Sequence, residues 1–164
     1  MTTTLTTKNK SKTNHGKVFE KEFFNSFPSE IFVQRLKDDT MKFANVKNSY
    51  DFFAYSYPII FLFELKTTKQ KSLPFANINQ YQIDTLFLHN KQSGIIAGFV
   101  INFRSHDYQT FFVPAEKVHY YYYHADRNSF PIEWIQQNGI NLPATLIRTR
   151  YRFDLSPILG DCAI

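Results

Sequence analysis

Hydrophobic positions along this chain fall into short runs of two different periods. Val18, Phe19, Phe23, Phe24 and Phe27 recur at helical spacing from Gly16 onward, and Pro28 ends the pattern, which predicts a short amphipathic helix. Residues 31–36 read as a first strand, and the polar, turn-rich residues 37–48 as connecting structure. Asp51-Phe52-Phe53-Ala54-Tyr55 and Ile59-Ile60-Phe61-Leu62-Phe63 are short, aromatic and β-branched, and Tyr57-Pro58 separates them at a distance that suits a hairpin. The second run ends in Glu64-Leu65-Lys66. After Pro74, the residues Ile78, Ile83, Leu86 and Phe87 give the apolar face of a helix running to about Lys91. Residues 94–103 are almost continuously apolar, as expected for a central strand covered on both faces, and residues 110–114 read as its neighbour. A tyrosine-rich helix is expected over residues 115–123, and another from Phe130-Pro131, closed by Gly139. The class is α/β, with elements in the order αβββαβ.

Composition narrows this picture. A chain of 164 residues with 43% hydrophobic and 18% aromatic residues can bury the core of one domain and is not a disordered polymer. Residues 1–15 are the exception: rich in Thr, Lys and Asn, they lack the apolar surface needed to order themselves, so a disordered basic arm is expected there and a single domain over 16–164. The arm's lysines suit phosphates, but a solvated tail explains them as well. A formal net charge of +5 favours a polyanionic partner such as DNA. The lone Cys162 excludes disulfides and cysteine zinc sites, and no apolar run approaches the roughly 18–20 residues that span a bilayer, so a cytoplasmic protein without a membrane partner is expected. The histidines form no close pair with ligand spacing, and no phosphate-cradling glycine loop or nucleophile elbow is present, which disfavours ATP use and acyl transfer.

The candidate chemistry lies at the end of the two hydrophobic runs. Side chains alternate along a strand, so Glu64 and Lys66 share a face, and a hairpin that folds Asp51 back brings two carboxylates and an ammonium together. Magnesium and similar hard cations are held by one or two carboxylates plus water and substrate phosphate. A cation so held polarises a phosphodiester and acidifies a bound water, while the lysine supports the nucleophile or the developing charge. The spacing by itself also fits a charged strand end and a turn aspartate. Arg148, Arg150 and Arg152 alternate as well; on a strand they would form a phosphate-binding comb, or an edge guarded by charge. The four consecutive tyrosines after His119 suit packing between helices or protomers better than base stacking.

Asp51, Glu64-Leu65-Lys66-Thr67-Thr68-Lys69, Leu73-Pro74-Phe75-Ala76-Asn77-Ile78 and Gln80-Tyr81-Gln82-Ile83 together resemble RecU, the Holliday junction resolvase family of Gram-positive bacteria and their phages, within the PD-(D/E)xK nucleases. The resemblance runs from about Asn14 to about Arg152, with Asn14-His15-Gly16 where the family has Asn-Arg-Gly. It implies a restriction-endonuclease-like αβββαβ core, with a mixed central sheet flanked by helices, and a homodimer that cuts four-way junctions with Mg2+, or Mn2+, as cofactor. It also implies roles for single residues. Asp51, Glu64 and Lys66 would be catalytic, and Glu20 would approach the metal or the attacking water from the first helix, unless it is an exposed helix carboxylate. Asp51, Glu64, Gln82 and the Ser49 hydroxyl would make up the metal shell. Gln82 read alone is polar helix surface, and Ser49 a surface serine. Lys69 and Lys71, in the loop after the ExK motif, would contact phosphates or remain solvated. Residues 37–48 are shorter than the family's protruding stalk, which enters the junction centre, and this departure opens a second reading: a less selective phage-type endonuclease on branched or duplex DNA. A third, a DNA-binding module without catalysis, is opposed by the presence of Asp51, Glu64 and Lys66.

Overall fold

A computed structural model describes residues 13–36 and 48–160. The expected arm therefore lies outside the described residues up to position 12, as do Cys162 and the connecting segment over 37–47.

Helix α1 (His15–Phe24) starts where Asn14 caps it, its side chain accepting from the Lys17 N–H at 3.1 Å. It ends three residues before Phe27, in a turn over Asn25–Phe27 that expectation had counted as helix. Strands β1 (Phe32–Arg35), β2 (Phe52–Ser56) and β3 (Ile59–Thr68) follow, the last two joined at Tyr57-Pro58 as the hairpin pattern predicts. A short strand β4 (Ser72–Pro74) and a single 3-10 turn lead into α2 (Gln80–Asn90), and then come β5 (Ile95–Phe103) and β6 (Gln109–Pro114). Helix α3 (Ala115–His124), strand β7 (Ser129–Pro131), helix α4 (Ile132–Asn138) and strand β8 (Ile140–Asn141) complete the main body. A hairpin of β9 (Ala144–Ile147) and β10 (Arg150–Phe153), then the single turn α5 (Ser156–Leu159), close the chain.

The main sheet has six strands in the order β1-β2-β3-β5-β6-β8. It is mixed, because β3 and β5 run parallel, joined through α2, while the other neighbours are antiparallel. This is the α/β, αβββαβ arrangement the sequence predicts, a mixed central sheet flanked by helices. On one face Leu62, Phe99 and Ile101 pack against Ile83 and Leu86 of α2 and against α3 and α4. On the other, Phe61, Phe63 and Leu65 pack against Phe19 and Phe23 of α1 and Phe153 of β10. Phe23 is fully buried, with its ring 5.4 Å from Phe63 and 6.1 Å from Phe52, and burying such a side chain stabilises by about 1.5–3 kcal/mol. Helix α1 is thereby fixed under β3, the strand that carries the candidate chemistry.

Strand β3 continues past Phe63 to Thr68, beyond the expected run, because β5 extends the parallel ladder to Thr68↔Phe103 after β2 has ended. A buried Asn102 fastens this extension: Thr67 donates to its Oδ1 at 2.8 Å and it donates to Thr110 at 3.0 Å, tying β3, β5 and β6 together. Gly98 of β5 makes room for close packing, since a Cβ there would stand 2.4 Å from the Val113 carbonyl oxygen and 2.6 Å from the Phe112 ring. Only part of the tyrosine run packs as expected: Tyr121 meets Trp134 of α4 at 4.3 Å and Tyr122 meets Phe75 at 4.7 Å, while Tyr120 and Tyr123 are exposed, Tyr123 donating to Asp84 of α2. Among the described residues no helix is long and apolar enough to cross a membrane.

Candidate active site

The register of β2 and β3 assembles the site. Phe52 lies opposite Phe63, so the next position places Asp51 across from Glu64 on the same sheet face, and Lys66 follows on that face two residues later. Here β2 stops. The Asp51 N–H still donates to the Phe63 carbonyl at 2.9 Å, and the Asp51 carbonyl accepts from Leu36, but the Leu65 N–H donates to Asp51 Oδ2 at 2.8 Å. The Asp51 carboxylate thus substitutes for the missing strand, which fixes its position at the open edge of β3.

Glu64 is 2% exposed. Its Oε1 accepts from Lys66 Nζ at 2.7 Å and from Gln82 Nε2 at 2.8 Å, and its Oε2 is buried with no hydrogen-bond partner among the described residues. Burial first and the Asp51 charge second push the Glu64 carboxyl up to about 7, against the opposing pull of Lys66 and Gln82. Gln82 is the third residue of α2 in a capping box with Asn79, so its oxygen faces the Asn79 N–H and its amide nitrogen faces Glu64. It therefore meets the site by holding Glu64 rather than by presenting an oxygen.

These donors suit a hard divalent cation. The site offers two carboxylates, one with a buried oxygen left unsatisfied, at a place where negative charge is already costly. Among the described residues no group of three His, Cys, Asp or Glu side chains is arranged to hold a metal, so water and phosphate would have to supply the rest of the shell, as is usual for magnesium.

The other expected residues are placed unequally. Ser49, expected in the metal shell, lies in the bend before β2, two residues ahead of Asp51 and off the strand itself. Glu20 is on α1, beneath the opposite sheet face, and its carboxylate is ion-paired with Arg35 of β1. Arg35 is opposite Phe52, so this pair stands at the sheet edge beside Asp51 and not on the face of Glu64 and Lys66. Lys69 and Lys71 are exposed in the loop that leaves β3, as expected, and Lys71 lines a polar cleft with Ser105, His106 and Gln109. The arginine comb requires correction: Arg148 lies in the turn between β9 and β10 at φ 59°, where its direction is set by the turn, and only Arg150 and Arg152 alternate along the strand. Sequence reading missed Arg35, since nothing local links a strand-end arginine to a helix glutamate, whereas the double duty of Gln82 was open to notice in the Asn79-x-x-Gln82 capping pattern.

Comparison with known proteins identifies the family. Among curated proteins, the SPbeta prophage-derived uncharacterized protein YotM of Bacillus subtilis strain 168 is 31% identical over 168 residues, covering 90% of this chain and 86% of that protein. Among solved structures, Archaeoglobus fulgidus Hjc, a Holliday junction resolvase from an archaeal hyperthermophile, aligns with a TM-score of 0.47 at 14% identity, over 68% of this chain and 82% of that one. The family model for RecU, Recombination protein U, matches residues 5–152, a span that includes Asp51, Glu64, Lys66 and Gln82 together with the elements that position them. The chain belongs to the RecU family.

Proposed function

We propose that this protein is a divalent-metal-dependent endonuclease that resolves four-way DNA junctions as a homodimer, using magnesium or manganese. The observation that carries this reading is the convergence of Asp51, Glu64 and Lys66 on one face at the end of β3, with Glu64 Oε2 buried and unsatisfied. A cation bound by the two carboxylates would polarise the scissile phosphodiester and acidify a water. The chain's own residues supply the remainder. Asp51 is held in place by the Leu65 N–H and Glu64 by Gln82, so neither ligand has to reorganise as charge develops. Lys66, now on Glu64 Oε1, is within reach of a phosphate drawn to the same centre and can offset charge building up on its oxygens. Lys69 and Lys71 would guide the backbone beyond the scissile bond, and Arg150 and Arg152 would bind phosphates farther out. The prophage origin of a relative fits a role on phage or prophage DNA. Two symmetric sites match a substrate in which two opposed strands are cut.

Purified protein incubated with a labelled four-way junction tests this reading. Cleavage is expected with magnesium and none with chelator, and Asp51→Asn, Glu64→Gln and Lys66→Ala should each abolish cutting while junction binding largely persists. Robust cutting by any two of these variants would remove the site assignment.

A further inference from the structure

We propose that Glu22 of α1 and Ser26, in the turn that follows this helix, form a latch on the edge of β10, fixing the β9–β10 hairpin so that Arg150 and Arg152 meet DNA as a preset pair. The inference rests on the reading of these arginines as phosphate contacts. Among the described residues strand β10 pairs only with β9, so its other edge would leave N–H groups unsatisfied. Those groups turn toward α1: the Tyr151 N–H donates to Glu22 Oε1 at 3.2 Å, and the Phe153 N–H donates to Ser26 Oγ at 2.9 Å. The Ser26 hydroxyl itself donates to the Glu22 carbonyl at 2.7 Å, which aims its lone pairs at the strand. The spacings agree. Residues four apart on a helix face lie about 5–6 Å apart, and alternate residues of a strand lie about 6.8 Å apart, so the last turn of α1 and the turn that follows it stand in for a neighbouring strand.

The latch has a second support. Glu22 is 3% exposed, and its other oxygen accepts from the Tyr108 hydroxyl at 2.5 Å. A buried carboxylate requires such donors. The Tyr108 ring stacks on Tyr151 at 3.6 Å, so one residue of the β5–β6 turn grips both the carboxylate and the strand it holds. Tyr108 and its neighbour Asp107 both take φ 54°, a left-handed conformation uncommon outside glycine, which the surroundings must enforce. Burial and the Glu22 carboxylate push the Tyr108 phenol well above its ordinary range, so the hydroxyl stays a donor. With Tyr151 and Phe153 directed inward, alternation puts Arg150 and Arg152 on the opposite side of the hairpin, Arg150 exposed and Arg152 half-buried with its Nη1 donating to the Tyr151 carbonyl at 3.3 Å. The same helix packs under β3, so α1 connects the arginine hairpin to the strand of Glu64 and Lys66.

The test compares the full-length wild type with Glu22→Ala/Ser26→Ala, Glu22→Gln and Arg150→Ala/Arg152→Ala, using a four-way junction as probe. Three readouts are taken: hydrogen exchange of the Tyr151 and Phe153 amides without DNA, the slope of log affinity against log salt without metal, and cleavage rate against junction concentration with magnesium. The arginine pair should lower the salt slope by about 1.8, roughly 0.9 per lost phosphate contact. The alanine latch variant should speed exchange of the two amides on the order of a hundredfold and lower the slope by at least half as much as the arginine pair. Its cleavage loss should fall several-fold more on the junction concentration needed than on the saturating rate. Glu22→Gln keeps an acceptor for Tyr151 and should retain the wild-type slope. Freed amides with an unchanged salt slope overturn the proposal, as does a Glu22→Gln slope as low as the alanine variant's. If the arginine pair leaves the slope unchanged, the hairpin does not bind phosphate and the latch has no such role, while magnesium-dependent cutting by the same samples keeps the nuclease reading intact. Should the double variant fail to fold, Ser26→Ala alone frees the Phe153 N–H, and an unchanged slope there overturns the proposal equally.

Discussion

Glu64 shows most clearly how a single residue links stability to chemistry. Its carboxyl is raised from an ordinary 4.5 to about 7 by burial first and by Asp51 second. A carboxyl raised on folding favours the native state when protonated, so its contribution is complete below pH 4.5 and is lost as pH rises through about 7. In metal-free protein, Glu64→Gln should therefore leave stability little changed at pH 5 and raise it by about 2–3 kcal/mol at pH 8. Denaturant unfolding at the two pH values measures this, and parallel pH curves for variant and wild type would contradict it. The same proton competes with a cation, so magnesium affinity followed by calorimetry should fall about tenfold per unit below pH 7. Gln82→Ala, which frees Glu64 without removing a carboxylate, should reduce metal affinity or cleavage by roughly 10- to 100-fold. At this scale the sequence was partly legible. Alternation put Glu64 and Lys66 on one face, and a hairpin brought Asp51 across from them. The Glu20–Arg35 pair was not legible, because only the packing of α1 under the sheet sets where a helix glutamate points.

Among the elements, β3 matters most because it outlasts β2. Beyond Phe63 one edge is free of backbone pairing to β2 and the other remains laddered to β5, which leaves Glu64 and Lys66 rigid yet approachable. Disturbing the β5–β6 contact should loosen this support: Gly98→Ala forces a Cβ against the Val113 carbonyl and should destabilise by about 1–3 kcal/mol, read as a lower denaturant midpoint. A midpoint equal to wild type would mean that the sheet yields there at no cost. Long apolar or strictly periodic runs announced their elements, so α1, β2, β3, α2, β5, β6 and α3 could be read from sequence. Strands β4, β7 and β8 span only two or three residues, too few to carry a period, and their pairing depends on distant partners. The alternation of Arg148, Arg150 and Arg152 concealed a turn, since β9 and β10 need a reversal there and Arg148 supplies it with a positive φ.

At the scale of the whole molecule, a net charge of +5 draws DNA toward the protein but cannot distinguish a crossover from ordinary duplex, because attraction to phosphates is nearly blind to structure. Selectivity has to come from geometry. The segment over residues 37–48 is short for a junction-entering stalk, so under the proposed function the discrimination would fall to a dimer holding two sites against two opposed strands. This part was least legible, for a single chain's pattern fixes which residues share a face but not how two copies meet. The most direct test is the ratio of junction to duplex cleavage at matched salt with magnesium, with the products mapped on both strands. The account expects a strong preference for the junction, with paired, symmetric cuts on opposed strands that vanish in Asp51→Asn. A ratio near one with unpaired nicks would contradict it and leave a structure-tolerant DNA endonuclease.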